Sequence, residues 1–157
     1  MNKKILVALD FSSSAHLVAE QGQVLAESLN AELHLVHILA DWTYYSGMNY
    51  SPILGFTSAD FGAHQSVQNQ ELRNSAMSYL EKTKSYLNYD NTHLHVEEGT
   101  VENVIARMCD DLDLDYIVIG SHGRNKIDKI LIGSNTEKVL ASVNIPTLVI
   151  PVGVEKE

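Results

Sequence analysis

The sequence predicts an α/β fold in which a doubly wound, five-stranded parallel sheet carries helices on both faces. Five short apolar runs of strand length alternate along the chain with four segments of helical periodicity. This order requires crossover connections, which are right-handed and place helices on both faces of a mostly parallel sheet. At 157 residues, the chain is expected to form a single domain, 1–157, around one core.

The first half of the chain contains two predicted strands and two predicted helices. Residues 3–9 form a continuous apolar run, which is typical of a strand covered on both faces. A serine cluster at 12–14 can cap the helix that follows, whose apolar residues recur at spacings of three and four. The second strand is predicted at 33–39 and the second helix at 71–87.

The second half continues the alternation to the end of the sheet. Residues 92–96 alternate polar and apolar side chains, 101–112 place their apolar residues on one helical face, and 116–119 form a buried strand. A helix is predicted at 137–143. The last strand, 146–150, is bounded by prolines, which cannot donate to a strand ladder.

A long connection separates the second strand from the second helix. Residues 41–63 are rich in aromatic residues and glycine, carry few charges, and are predicted to be a loop insertion. The aromatic residues could form a lid, a partner surface or ordinary packing against the domain, and the sequence does not choose between these. They are Trp42, Tyr44, Tyr45, Tyr50, Phe56 and Phe61.

Composition excludes several classes of function. A formal net charge of −9, with no basic stripe to offset it, disfavours nucleic acid as a partner. No apolar run is long enough for membrane insertion. The opening residues lack the pattern of a signal peptide, and a single cysteine, Cys109, fits a reducing compartment, so a cytoplasmic location is expected. Cys109 lies in an apolar helical pattern and is predicted to be a core residue.

The strand ends predict the place of a ligand site. In a doubly wound sheet, ligands bind beyond the carboxyl ends of the strands where strand order reverses, which here means near Asp10 and Gly120. From Gly120 the chain continues through Gly123 to a second glycine segment that begins at Gly133 and opens a helix. Glycines allow close approach of the main chain, and a helix start offers free N–H groups, so the predicted ligand is a phosphate.

This loop is not one of the two commonest nucleotide motifs, because neither the Walker-type nor the dinucleotide glycine pattern occurs. The pattern Gly120-x2-Gly123-x9-Gly133-Ser134 instead resembles the ATP-binding signature of the universal stress protein family. The opening strand with Asp10 and Ser12, Val36-His37 in the second strand, and residues 145–149 match the same family. The resemblance covers nearly the whole chain.

The resemblance implies a Rossmann-like fold and a set of site residues. ATP would be bound with Mg²⁺, or Mn²⁺, held through the phosphates rather than by a protein cage. The ribose would lie by Asp10 and Ala8, and main-chain groups of Ile38 would face the adenine. Ile119 and Gly120 would lie against the nucleoside. The triphosphate would be surrounded by Gly123, Gly133, Ser134, Asn135 and Thr136. The family also implies a homodimer formed through the last strand.

Three functions stay open at this point. The favoured one is a regulatory ATP-binding protein of the stress response, in which nucleotide occupancy alters the surface offered to an unknown protein partner. The second is a slow ATPase or phosphotransferase, although no catalytic base is identifiable in the sequence. The third is an interaction module that binds no nucleotide.

Several of these residues also have structural interpretations. Ser134 and Glu137 match a capping box, and Asp10 could end a strand and cap a helix. His122 is interpreted as a spacer, and the basic residues Arg124, Lys126 and Lys129 either touch the triphosphate or form a solvated turn. The histidines of the second and third strands, His34, His37, His93 and His95, are interpreted as satisfied strand residues without a metal-site spacing.

Overall fold

The computed structural model describes residues 1–39, 61–121 and 132–152, with side chains from residue 69 onward in the second helix. Its sheet has five parallel strands in the order β3-β2-β1-β4-β5. The predicted fold class is therefore confirmed. The strands are β1 Lys4–Ala8, β2 Glu32–Leu39, β3 Thr92–Glu98, β4 Tyr116–Gly120 and β5 Thr147–Ile150.

Four helices occupy the two faces of the sheet. They are α1 Ala15–Leu29, α2 Phe61–Leu87, α3 Val101–Leu112 and α4 Ser134–Ser142. Alternate strand residues point to opposite faces, so each strand contributes to two apolar layers. One layer joins Val7 and Leu35 to α1 and α2, and the other joins Leu6 and Val36 to α3 and α4.

The α1 helix packs unusually close to β1. A Cβ atom on Gly22 would overlap Cγ2 of Val7, closer than real Cβ contacts come. Val7 is fully buried, so its side chain has little space into which it could move. Glycine at position 22 therefore sets the spacing between α1 and the sheet.

The second helix departs from the sequence prediction. It begins at Phe61, ten residues before the predicted start at 71, so the last residues of the predicted 41–63 insertion are helical. The polar segment before Glu71 lacks the apolar spacing that marks the rest of the helix. The remainder of that insertion, including Trp42, Tyr44, Tyr45, Tyr50 and Phe56, lies outside the described residues.

Other element bounds shift by a few residues. The α4 helix begins at Ser134, directly after Gly133, as the glycine segment predicts and three residues before the apolar pattern of 137–143. The α3 helix has the predicted bounds, 101–112. Cys109 is partly buried against the layer that contains α3, where burial raises the pKa of its thiol. The helices were also compared with the dimensions of a membrane span. Among the residues that the structure describes, no helix is both long enough and apolar enough to cross a membrane.

The two halves of the sheet meet where β1 pairs with β4. To one side of β1 lie β2 and β3, and to the other lie β4 and β5. Pairing between β1 and β4 runs only from Ile5 to Val7, whereas β1 and β2 pair from Lys4 to Ala8. This junction is the point at which strand order reverses, and it fixes where a ligand cleft can open.

Candidate functional site

An open cleft lies beyond the carboxyl ends of the strands, at the point where strand order reverses. Its walls come from the ends of β1, β2 and β4, from the starts of α1, α3 and α4, and from Val152, two residues after β5. Seven predicted site residues line it, and they are Ala8, Asp10, Ile38, Ile119, Gly120, Asn135 and Thr136. The structure therefore brings together residues that are up to 128 positions apart in the sequence.

Asp10 is held in place by two hydrogen bonds at the end of β1. Its Oδ1 atom accepts a 2.9 Å hydrogen bond from the main-chain N–H of Ser12. Its main-chain carbonyl accepts a 2.9 Å hydrogen bond from the hydroxyl of Tyr79 on α2. Burial, followed by the nearby charge of Asp10, raises the pKa of Tyr79 and keeps this hydroxyl a donor. A carboxylate has further acceptor sites, so Asp10 can also accept from a ligand hydroxyl.

Ile38 offers main-chain groups to the cleft because β2 is longer than β1. The last registered pair of these strands is Ala8 with Val36, and the N–H of Leu9 donates to the Val36 carbonyl. Main-chain groups alternate in direction along a strand, so those of Ile38 point to the same side as those of Val36. They face the space beyond the end of β1.

The start of α4 forms the opposite wall of the cleft. Gly133 precedes the helix with φ −62° and ψ 155°, and its N–H donates a 2.7 Å hydrogen bond to the Ser121 carbonyl. The first intrahelical bond of α4 runs from the N–H of Glu137 to the Gly133 carbonyl. The N–H groups of the first turn precede that ladder, and they carry the positive end of the helix dipole.

The capping-box interpretation of Ser134 and Glu137 is wrong. A capping box needs the serine at the residue that precedes the helix, but Gly133 holds that place and Ser134 is already helical. Gly133, which holds the capping position, has no side chain that could cap the helix. Within the described part of the chain, the main-chain donors of this turn are therefore not used by a side chain at that position.

Thr136 joins α4 to the end of β4. Its buried hydroxyl donates a 2.9 Å hydrogen bond to the main-chain carbonyl of Gly120, and only 6% of the residue is exposed. The hydroxyl proton is therefore committed to the protein. Thr136 forms part of the cleft wall, and its hydrogen bond holds the start of α4 against the end of β4.

Three of the ten predicted site residues do not line the described part of the cleft. Gly133 and Ser134 lie immediately before Asn135, at the start of α4, and Ser134 is exposed. Gly123 lies outside the described residues. So do the other loop residues considered above, namely His122, Arg124, Lys126 and Lys129.

The universal stress protein family model matches residues 1–151. The chain belongs to the universal stress protein family. Universal stress protein MJ0577 of Methanocaldococcus jannaschii is 29% identical over 160 residues, covering 96% of this chain and 95% of that protein. Universal stress protein A homolog 2 of Coxiella burnetii is 30% identical over 150 residues, covering 94% of each.

Solved structures of the family share the fold. The structure of MJ0577 superposes with a TM-score of 0.75 at 25% identity, covering 99% of both chains. A universal stress protein in complex with cAMP superposes with a TM-score of 0.58 at 16% identity, covering 94% of this chain and 95% of the other. The similarity thus extends over the strands and helices that form the cleft.

A group of rings beside the cleft of this universal stress protein was not singled out from the sequence. The Phe11 ring lies 4.1 Å from the ring of His37 and 4.9 Å from that of Tyr79, measured between centroids. His37 is buried, and its Nδ1 donates a 2.8 Å hydrogen bond to the Leu9 carbonyl. This contact depends on the register of β1 and β2, which no local sequence pattern specifies.

Three other histidines, His34, His93 and His95, form a cluster at the opposite end of β2. His34 faces its register partner His93, and Nδ1 of His34 lies 3.0 Å from Nε2 of His95. Within the described part of the chain, Nε2 of His34 is buried and has no hydrogen-bond partner, so the interpretation of satisfied strand histidines is wrong for this residue. Burial, followed by the charges of His95 and His93, lowers the pKa of His34 to about 4. Burial also lowers the pKa of His95.

Proposed function

We propose that this chain is a regulatory, non-catalytic domain of the stress response that binds ATP in the cleft between β1 and β4. The observation that carries the proposal is the convergence of Asp10, Gly120 and the first turn of α4 on one cleft at the switch point of the sheet. These groups supply a carboxylate for a sugar hydroxyl and main-chain donors for phosphate.

The nucleoside would occupy the part of the cleft nearest β1 and β2. Ala8, Val36 and Ile38 form an apolar surface there. The main-chain N–H and C=O of Ile38 suit the alternating acceptors and donors along the edge of an adenine ring. The carboxylate of Asp10, oriented by Ser12, would accept hydrogen bonds from the ribose hydroxyls.

The phosphates would lie against the start of α4. The N–H groups of its first turn and the positive end of the helix dipole favour negative charge. Ser134, Asn135 and the preceding Gly133 belong to this turn, and we propose that Gly123 completes the phosphate loop. Arg124, Lys126 and Lys129 would add attraction for the phosphates in a chain whose net charge is −9.

A divalent cation would be bound through the nucleotide. Asp10 is the one carboxylate among the described residues that line the cleft, and Mg²⁺ requires several oxygen ligands. The phosphate oxygens and water would therefore supply most ligands of Mg²⁺ or Mn²⁺. Removing the cation should weaken ATP binding without unfolding the protein.

The cleft supports binding better than turnover. His37 and Asp10 are its titratable residues within the described chain, and both are already engaged in holding the end of β1. Hydrolysis would need a base that orients water at the γ-phosphate. We therefore rank a slow ATPase or phosphotransferase second, and a module that binds no nucleotide third.

Calorimetric titration of the full chain, stripped of bound nucleotide, tests the proposal. ATP, ADP, AMP, cAMP and GTP would each be titrated with and without Mg²⁺. The expected result is ATP binding that is weakened by Asp10→Ala but not by Asn2→Ala, which changes an exposed residue just before the start of β1. Failure of every nucleotide to bind at millimolar concentration would leave the third function.

Phosphate release separates the first two functions. Gly133 has an extended backbone conformation that valine also adopts, so Gly133→Val should fold and place a side chain where phosphate would bind. Wild-type protein is expected to release phosphate no faster than this variant. Steady turnover that disappears in Gly133→Val would make the protein an enzyme.

We further propose that the protein acts in the cytoplasm as a homodimer formed through β5. This strand is at the edge of the sheet, and Leu148 on it is 43% exposed. An apolar edge strand needs a cover, which a second copy would supply. Nucleotide occupancy would then alter the surface that the dimer presents to a protein partner.

A further inference from the structure

We propose that Glu32, His34 and His93 form a binding site for one divalent transition metal ion of the zinc type. One potential ligand atom from each residue lies within 4.8 Å of those of the other two. Two imidazoles and one carboxylate are a donor set that zinc accepts, with a fourth position left for water. This site is separate from the proposed nucleotide cleft and does not depend on it.

Strand register brings the three residues together. His34 and His93 are directly paired on the neighbouring parallel strands β2 and β3. Glu32 is two residues before His34, so its side chain points to the same face of the sheet. Glu32 is the first residue of β2, whereas Ile38 of the cleft is six residues further on, about 20 Å along the strand.

The buried ring of His34 supplies the strongest indication of a ligand. Only 5% of the residue is exposed, and its Nε2 atom is buried without a hydrogen-bond partner among the residues that the structure describes. The nearest carboxylate oxygen, Oε2 of Glu32, is 3.6 Å away, which is longer than a hydrogen bond. Buried polar atoms are usually paired, and a metal ion between Glu32 and His93 would pair this one.

His95 orients the His34 ring as a second-layer residue does in known metal sites. The 3.0 Å contact between Nδ1 of His34 and Nε2 of His95 is a hydrogen bond. When Nδ1 of His34 donates this bond, the lone pair of the neutral ring lies on Nε2, which faces Glu32. A ligating histidine commonly has its second nitrogen held in this way.

The donor distances fit a site that closes on the ion. Tetrahedral zinc places nitrogen and oxygen donors about 3.3 Å apart, given bonds of about 2.0–2.2 Å. Oε2 of Glu32 is 3.6 Å from Nε2 of His34 and 4.0 Å from Nε2 of His93. The His93 side chain is 50% exposed and can rotate, whereas His34 is fixed by packing. The rings of His34 and His93 are stacked, with 4.8 Å between centroids and 19° between planes, so His93 would rotate out of this stack to direct its Nε2 at the ion.

Zinc titration of the full chain tests this inference. The protein would be treated with a chelator, freed of it, and titrated with Zn²⁺ against a chromogenic competitor, without nucleotide. We expect one zinc site at micromolar or tighter affinity, weakened at least tenfold by His93→Ala and by Glu32→Gln. His16→Ala removes an exposed histidine far from this cluster and should leave the affinity unchanged.

A second measurement does not depend on affinity. Co²⁺ in place of zinc should give the visible absorption of a low-coordinate nitrogen and oxygen site, and this absorption should be lost in His93→Ala. Both His93→Ala and Glu32→Gln alter partly exposed side chains and should fold, whereas His34 is buried. Zinc binding that is absent, or that is equal in wild type, His93→Ala and Glu32→Gln, would overturn the proposal.

Discussion

The hydroxyl of Thr136 on α4 donates a 2.9 Å hydrogen bond to the carbonyl of Gly120 at the end of β4. Thr136→Val keeps the shape of the side chain but leaves this carbonyl without its donor, which should lower the free energy of unfolding by about 1–3 kcal/mol. Urea denaturation measures the change. Thr136→Ser retains the hydroxyl and should keep the donor, so an equal loss in both variants would mean that the hydrogen bond contributes nothing.

A negative charge at residue 135 should weaken ATP binding without destabilising the fold. Asn135→Asp places a carboxylate in the first turn of α4, where the helix dipole stabilises it, so the melting temperature should not fall. The same charge repels a triphosphate, and ATP affinity should drop at least about tenfold by calorimetry. Asn2→Asp makes the same change in net charge at an exposed residue just before the start of β1, away from the cleft. If both variants bind ATP like the wild type, the phosphates lie elsewhere.

Asp115 should make stability depend on pH in the acid range. Hydrogen bonds from the side chain of Lys3 and the main chain of Lys4 hold the pKa of Asp115 below its ordinary value of 3.8. The ionised carboxylate therefore stabilises the fold above pH about 4, and this contribution is lost as the pH falls below that value.

Asp115→Asn is the variant that tests this dependence. It should lower the urea midpoint at pH 7, and its difference from wild type should shrink at pH 3. Asp111→Asn makes the same charge change at an exposed residue and should not lower the midpoint. A difference for Asp115→Asn that stays constant between these pH values would contradict the assignment.

Gly22→Ala should destabilise the protein although alanine is the better helix former. The helix would gain about 0.5–1 kcal/mol, but the new methyl group would overlap the buried Val7 side chain, at a cost of about 1–3 kcal/mol. Val7→Ala provides the missing space, so the double variant should lose less than the sum of the single losses. Strict additivity in chemical denaturation would argue against this overlap.

Leu148→Lys should separate the proposed dimer. A charge on the exposed side of β5 would be buried against a second copy, which costs more than its exposure in a monomer. Sedimentation velocity at micromolar concentration should show a shift from dimer to monomer. Leu17→Lys is the matched control because Leu17 is also 43% exposed but lies on α1. A wild-type monomer at this concentration would refute the dimer.

Sequence periodicity predicted the fold because each strand and most helices carry their own apolar signal. The residues of α3 are an example, since Val104, Ile105 and Met108 mark its buried face. The first turns of α2 are polar and gave no such signal. The position of the cleft was predictable as well, because it depends on strand order rather than on distances between side chains.

Contacts across strands were not predictable. His34 and His95 are 61 residues apart in the sequence. The spacing of apolar residues within one strand carries no information about which residues of another strand lie beside it. Only the register of β2 with β3 shows that these histidines meet, and shifting it by one residue would move His95 to the other face. The same limit applied to Phe11 and His37, whose contact depends on how the end of β1 lies beside β2.

The short pairing between β1 and β4 has a consequence for the cohesion of the sheet. β1 pairs with β4 only over Ile5–Val7, which is fewer residues than it pairs with β2. The sheet would therefore separate most readily between β1 and β4. A molecule in the cleft touches both sides of that boundary, so its binding energy opposes their separation. Amide hydrogens of β4 should then exchange more slowly when a ligand fills the cleft, because the bound ligand disfavours opening of the sheet between β1 and β4.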